Sequence, residues 1–102
     1  MNIKRLELTN FRNYHSGELD FIDETNIIYG ANAQGKTNII EAIFLCASGR
    51  SHRTSKDMEL VSTGENGYYV KLDMFKDDMD SSIEMLFDKN EKKRIKINDI
   101  PA

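Results

Sequence analysis

The residues best equipped for chemistry fall in one run, Gly30-Ala31-Asn32-Ala33-Gln34-Gly35-Lys36-Thr37, which reads G-x-x-x-x-G-K-T. This is the phosphate-binding P-loop pattern, and the residue types explain what it does. Gly30 and Gly35 let successive backbone N–H groups turn into one concavity, where a Cβ would obstruct the approach of a phosphate oxygen. Lys36 brings a mobile point charge to the β- and γ-phosphates of a nucleotide such as ATP. The Thr37 hydroxyl takes one coordination position on a Mg²⁺ that keeps most of its waters. Gly30 to Thr37 and the adjoining Asn38 are the candidate phosphate-binding residues, with Thr37 the candidate metal ligand. A glycine-rich turn that merely makes a corner is the plainer alternative, yet here the glycines, the lysine and the hydroxyl all stand at the required spacing.

That chemistry needs a strand in front and a helix behind. Thr25-Asn26-Ile27-Ile28-Tyr29 is a short apolar, β-branched run suited to a buried strand, and 38–47 predicts a buried helix whose positive end receives the anion. Nearly every position from Ile39 to Ala47 is apolar, with Asn38 and Glu41 as the interruptions. The helix should therefore be covered by sheet on one side and by further protein on the other. Ser48-Gly49 supplies the stop.

Upstream, 3–9 alternates as a half-buried strand, 10–17 reads as a polar loop or hairpin turn, and 18–22 as a second strand, so three short strands are expected before the helix. Downstream, 50–57 is polar and locally basic. Its plain reading is a solvated loop, and its functional reading makes Arg50, His52 and Arg53 candidates for DNA or nucleotide contact, since arginines and hydroxyls are the usual phosphate donors. A helical turn is expected at 58–61 and a loop at 62–67. Strands at 68–75, 82–87 and 94–97 then form an antiparallel meander with one wet face, after which no helix follows to close a layer. The cluster Lys92, Lys93, Arg94 and Lys96 reads as charge guarding a sheet edge, with a nucleic-acid patch as the alternative.

The 102 residues suffice for one small domain with a thin core, less than a complete P-loop ATPase usually has. The net charge of −3 gives no global attraction to nucleic acid, so any DNA contact needs a local basic face. Cys46, the single cysteine, lies in the apolar helix as a small buried hydrophobe, which fits a reducing cytosol. No apolar run reaches the ~18–20 residues that span a bilayer. A soluble, cytoplasmic protein without membrane contact is the expectation.

Leu6-x-Leu8-x-Asn10-Phe11-Arg12-Asn13-Tyr14, the loop and helix start from Gly30 to Ile43, and Gly49-Arg50-Ser51-His52-Arg53-Thr54 together resemble the amino terminus of the RecF family of bacterial recombination-repair ATPases. More distantly they resemble other SMC-type ATPase heads. The likeness is specific to about residue 54 and weaker in the meander. It implies an α/β P-loop NTPase fold: a partial ABC-type head, lobe I, with mixed or antiparallel strands around one P-loop helix. It also implies ATP and Mg²⁺ as ligands, an ATP-dependent homodimer of heads in the whole protein, and binding of gapped or single-strand/double-strand junction DNA. Recombination-mediator partners and help in loading a recombinase belong to the same implication. Arg12 and Asn13 would lie near the nucleotide phosphates, and the antiparallel strands would flank adenine and ribose.

The sequence also departs from that family pattern. No apolar strand ends in an Asp-Glu pair (Walker B), the Ser-Gly-Gly-type signature is missing, and Asp77-Asp78 lies in a polar turn rather than at a strand end. Residues 1–102 are therefore expected to be an N-terminal fragment that carries the phosphate-binding half of an ATP site and hydrolyses little alone. Another P-loop ATPase or nucleotide kinase, and a non-catalytic nucleic-acid-binding module, stay open as alternatives.

Overall fold

The computed structural model describes residues 2–20, 33–51, 53–91 and 93–101. Among these residues, β1 (Asn2–Phe11) and β2 (Tyr14–Asp20) come before the helix α1 (Ala33–Ser48). A single 3₁₀ turn (Asp57–Leu60) then leads to β3 (Gly67–Lys76), β4 (Met79–Asp88), β5 (Arg94–Ile97) and β6 (Ile100–Pro101). The strands form one antiparallel sheet in the order β2-β1-β3-β4-β5-β6.

Alternation along the strands fixes which face is buried. Leu6 and Leu8 of β1 stand opposite Leu72 and Val70 of β3, and Val70 in turn stands opposite Met85 of β4. All five are sealed from solvent, along with Ile39, Ala42, Leu45 and Cys46 from α1. Each of the leucine, isoleucine, valine and methionine side chains contributes about 1.5–3 kcal/mol on burial, so this helix-on-sheet seam holds the unit together. The opposite sheet face carries the expected charges: Arg5 pairs with Glu18 at 2.7 Å, and Lys71 lies 3.7 Å from Glu84.

The α/β arrangement of antiparallel strands around one helix is as the sequence predicts, and several boundaries differ. The segment 10–17 is mostly strand: β1 runs on to Phe11 and β2 begins at Tyr14, leaving a two-residue turn at Arg12-Asn13. The meander is not a separate sheet, because β3 pairs with β1 along seven registered positions from Asn2 to Thr9. On the side of its buried face, α1 itself lies over β3 and β4. That helix starts at Ala33, five positions before the expected Asn38. Its stop is as expected: Gly49 adopts φ 82° and donates its N–H to the Leu45 carbonyl at 2.7 Å, a left-handed cap that favours glycine. The expected strand at 25–29 lies outside the described residues.

Burial around α1 is one-sided. Ile39, Ala42, Leu45 and Cys46 face the sheet, whereas Ile40 and Phe44 are about half exposed at 45% and 43%. The apolar run thus divides into an inner face with helical spacing and an outer stripe.

Candidate nucleotide-phosphate site

Of the P-loop residues, Gly30, Ala31 and Asn32 lie outside the described residues, and for Ala33, Gln34, Gly35 and Lys36 only the backbone is described, as the first turn of α1. The four leading N–H groups of a helix have no acceptor within it, and this first turn contains no acidic side chain to satisfy them. The positive end of α1 is therefore chemically suited to an anion, as the motif requires. Thr37 is exposed on the next turn, where its hydroxyl suits a metal ion shared with phosphate oxygens.

One helical turn further in, a polar cluster forms around Glu41. This side chain is completely buried, beside Asn38, on the largely apolar inner face of α1. Arg12 donates from Nε to Oε1 at 2.8 Å and from Nη2 to Oε2 at 2.9 Å, the two-pronged geometry that makes guanidinium–carboxylate pairs strong. The Ser51 hydroxyl donates to Oε2 at 2.6 Å, and Arg53 Nη1 to Oε1 at 3.2 Å. Burial by itself pushes the Glu41 carboxyl up. The hydrogen bonds from Arg12 and Ser51 and the charges of Arg12 and Arg53 outweigh it, leaving the group below its ordinary value. The same hydrogen bond raises the Arg12 guanidinium above its usual range.

Asn38 extends the cluster toward the helix start. Its Nδ2 donates to Asn13 Oδ1 at 2.7 Å, and its Oδ1 accepts from Arg53 Nη1 at 2.9 Å. Three separate segments thus meet: the β1–β2 turn, α1, and the loop after α1. Arg12, Asn13, Asn38 and Arg53, together with Glu59, Val61 and Thr63, line a shallow cleft of about 290 Å³.

The turn that delivers Arg12 is conformationally costly. Arg12 adopts φ 53°, the left-handed region that a long side chain rarely occupies outside glycine, asparagine and aspartate. It is held there by its own N–H on the Leu60 carbonyl at 2.7 Å and by the Ser62 hydroxyl on its carbonyl at 2.7 Å. Strain of this kind persists where surrounding contacts over-determine it, commonly at binding sites.

The sequence-based candidates divide accordingly. Arg12, Asn13, Asn38 and Arg53 come together. Arg50 is exposed and lines a neighbouring cleft with Phe44, Ser51, Arg53, Thr54 and Ser55, and His52 lies outside the described residues. Asp77 and Asp78 form the two-residue β3–β4 turn, both with positive φ, as turn residues do. Lys93 does not guard an edge: its Nζ donates to the Gly49 carbonyl at 2.9 Å and reaches Asp57 at 3.2 Å, tying the β4–β5 turn to the end of α1. Glu41 and Ser51 were not singled out by the sequence. The signal available for Glu41 was a carboxylate at i+3 from Asn38, on a helix face otherwise reserved for core.

A family model described as an AAA domain matches residues 5–100, and the chain belongs to that family. Its fold is the P-loop ATPase head seen in RecF and SMC proteins, an α/β unit with an antiparallel sheet. The particular resemblance is to RecF. The DNA replication and repair protein RecF of Acetivibrio thermocellus is 55% identical over 101 residues, which is 99% of this chain and 27% of that protein. RecF of Ruminiclostridium cellulolyticum is 51% identical over 102 residues, again 99% of this chain and 27% of the relative. Among solved structures, the recombination mediator protein RecF-ATPrS of the RecFOR pathway superposes with a TM-score of 0.84 at 36% identity, covering 98% of this chain and 27% of that one. An SMC ATPase studied for ATP-driven dimerization and DNA-stimulated activation superposes with a TM-score of 0.81 at 23% identity, over all of this chain and 72% of that one, a likeness of fold alone. The chain spans about 27% of the length of the curated relatives it matches.

Proposed function

We propose that the chain is the ATP-phosphate-binding part of a DNA replication and recombinational repair protein. The observation that carries this reading is the meeting, beside a helix headed by Gly35-Lys36-Thr37, of Arg12, Asn13, Asn38 and Arg53 in one cleft. Backbone amides of residues 30–38 bind phosphate oxygens, Lys36 neutralises the β- and γ-phosphates, and Thr37 takes one position on Mg²⁺. Bound Mg²⁺, held in part by Thr37, would supply charge compensation to the phosphate chain. Arg12, Asn13 and Arg53 add donors at the far end of the phosphate chain, and the antiparallel strands flank the nucleoside. Similarity to ATP-bound RecF supports this assignment.

In this reading, residues 1–102 are the first lobe of an ABC-type head, with its Walker B and signature residues supplied by other sequence. The whole protein dimerises with nucleotide between two heads and works in the cytoplasm. It binds gapped or single-strand/double-strand junction DNA, with Arg50, His52 and Arg53 as candidate contacts, and with mediator partners it aids recombinase loading. The names of the RecF relatives support the repair assignment. Groups donated in trans can be worth ~10³–10⁵ in phosphoryl-transfer rate, so the chain alone turns over ATP negligibly and the whole protein slowly, with DNA stimulation.

Titrating ATP into wild type and Lys36→Ala tests the proposal. One charge-assisted contact to phosphate is worth about 1.5–3 kcal/mol, so affinity should fall about ten- to a hundredfold. Equal affinity in the two proteins would remove the lysine from the site and the reading with it.

A further inference from the structure

Burying a carboxylate under a sheet is costly unless charge and hydrogen bonds compensate it, and an apolar side chain of similar volume would serve stability as well. Glu41 is nonetheless fully buried on α1, and Asn38, Ile39, Ala42 and Leu45 of the same helix are buried too. What the carboxylate gains there is two arginines. Arg12 occupies both oxygens through Nε and Nη2, whereas among the described contacts Arg53 engages through Nη1, shared between Glu41 and Asn38. One negative charge thus holds two positive ones, and the second carboxylate on the cleft, Glu59, is engaged elsewhere by the Thr54 hydroxyl at 2.6 Å.

The position of that cleft matters. Asn38 is two residues past Lys36, a rise of ~3 Å along the helix axis, so the cluster adjoins the place where the motif's lysine and hydroxyl meet the terminal phosphates. We infer that Glu41 is a positioning residue for the phosphate site: its carboxylate fixes the guanidiniums of Arg12 and Arg53 at the end of the phosphate chain. The inference rests on the nucleotide reading above and deepens it, because it assigns the discrimination of a triphosphate from a diphosphate to a side chain that itself touches no ligand. Arg12 keeps Glu41 compensated, and Arg53, held more weakly and 38% exposed, lines the cleft.

The test compares ATP and ADP binding by titration calorimetry in wild type, Glu41→Gln, Glu41→Asp and Lys36→Ala, with thermal unfolding recorded for each. Glu41→Gln should lower the ratio of ATP to ADP affinity about tenfold, the worth of one charge-assisted hydrogen bond, and Glu41→Asp, which keeps the charge, should restore most of it. A purely structural role would weaken both nucleotides alike or neither, and that result overturns the inference. If Glu41→Gln does not fold, Arg53→Gln from the exposed end of the cluster gives the same readout, and an unchanged ratio there overturns it too. Lys36→Ala separates the two levels. Loss of binding in that variant beside an unchanged ratio in Glu41→Gln defeats only the positioning role, whereas nucleotide affinity indifferent to Lys36 defeats the phosphate site itself.

Discussion

Arg12, standing in a left-handed turn between two strands, grips Glu41, the single carboxylate on the inner face of the helix, with both prongs of its guanidinium at 2.8 and 2.9 Å. The contact joins residues 29 apart in sequence and closes the β1–β2 turn onto α1. It is a buried charge pair, so its removal from one side has consequences that can be measured.

Arg12→Ala should leave Glu41 with Ser51 and Arg53 alone. Breaking a buried pair by removing one partner typically costs about 3–5 kcal/mol, and with Ser51 and Arg53 still in place the low end, about 3 kcal/mol, is expected. Relief of the positive φ offsets part of this, so Arg12→Gly should cost less than Arg12→Ala. Urea denaturation of the two variants checks both the size and the order. A loss under about 0.5 kcal/mol, the level of an exposed pair, would show that the contact does not hold in solution.

The pH dependence has a definite sign. Glu41 is depressed below the ordinary carboxylate value in the folded protein, despite its burial, by Arg12, Ser51 and Arg53. A depressed carboxyl stabilises the fold above its unfolded value of about 4.3, and that contribution disappears as pH falls through the lower, folded value. Urea midpoints followed from pH 7 to pH 3 should fall more steeply in wild type than in Glu41→Gln over the acid end. Parallel curves would mean that other carboxylates control the acid transition.

Cys46 should be chemically silent. Burial pushes its thiol up to about 12, and the side chain is 4% exposed. Reaction with a thiol-modifying reagent at neutral pH should proceed at the rate of global unfolding and accelerate with urea. Rapid labelling in the native protein would show that α1 lifts from the sheet.

Gly67 sits where β3 begins to pair with Asp88, and a Cβ there would collide with the Phe87 carbonyl oxygen. Because the obstacle is backbone rather than a movable side chain, Gly67→Ala should destabilise by about 2–3 kcal/mol, the upper range for overpacking. Gly64, whose surroundings are open, adopts φ 87°, so Gly64→Ala should cost only the ~1 kcal/mol of a strained backbone. The pair separates steric from conformational cost by thermal denaturation.

Much of this architecture was legible in the residues. Period-two alternation located β3, β4 and β5 to within about three residues at either end, and Ser48-Gly49 marked the end of α1 where the cap forms. The turn at Arg12-Asn13 was hidden because neither residue advertises a two-residue hairpin in the way Asn-Gly does, and the conformation is imposed by Leu60, Ser62 and Glu41 from elsewhere. The joining of β1 to β3 was hidden for a related reason: strand pairing over a long separation leaves no local pattern. At the site, spacing alone pointed to Lys36 and Thr37 as candidates, whereas Glu41 read as an interruption of the apolar run until its partners from two other segments were seen around it.

The pairing of Thr9 with Tyr69 and of Asn2 with Phe75 encloses the helix and everything between inside one large loop. A chain leaving the ribosome presents β1 before β3, and β3 emerges only after the residues between them have been made, several seconds later at ~5–20 residues per second. Through that interval β1 has β2 along one margin and a bare opposite margin, the kind of exposed rim that invites pairing with other chains. Newly synthesised copies should therefore depend on chaperone shielding until β3 arrives, and only then can α1 settle.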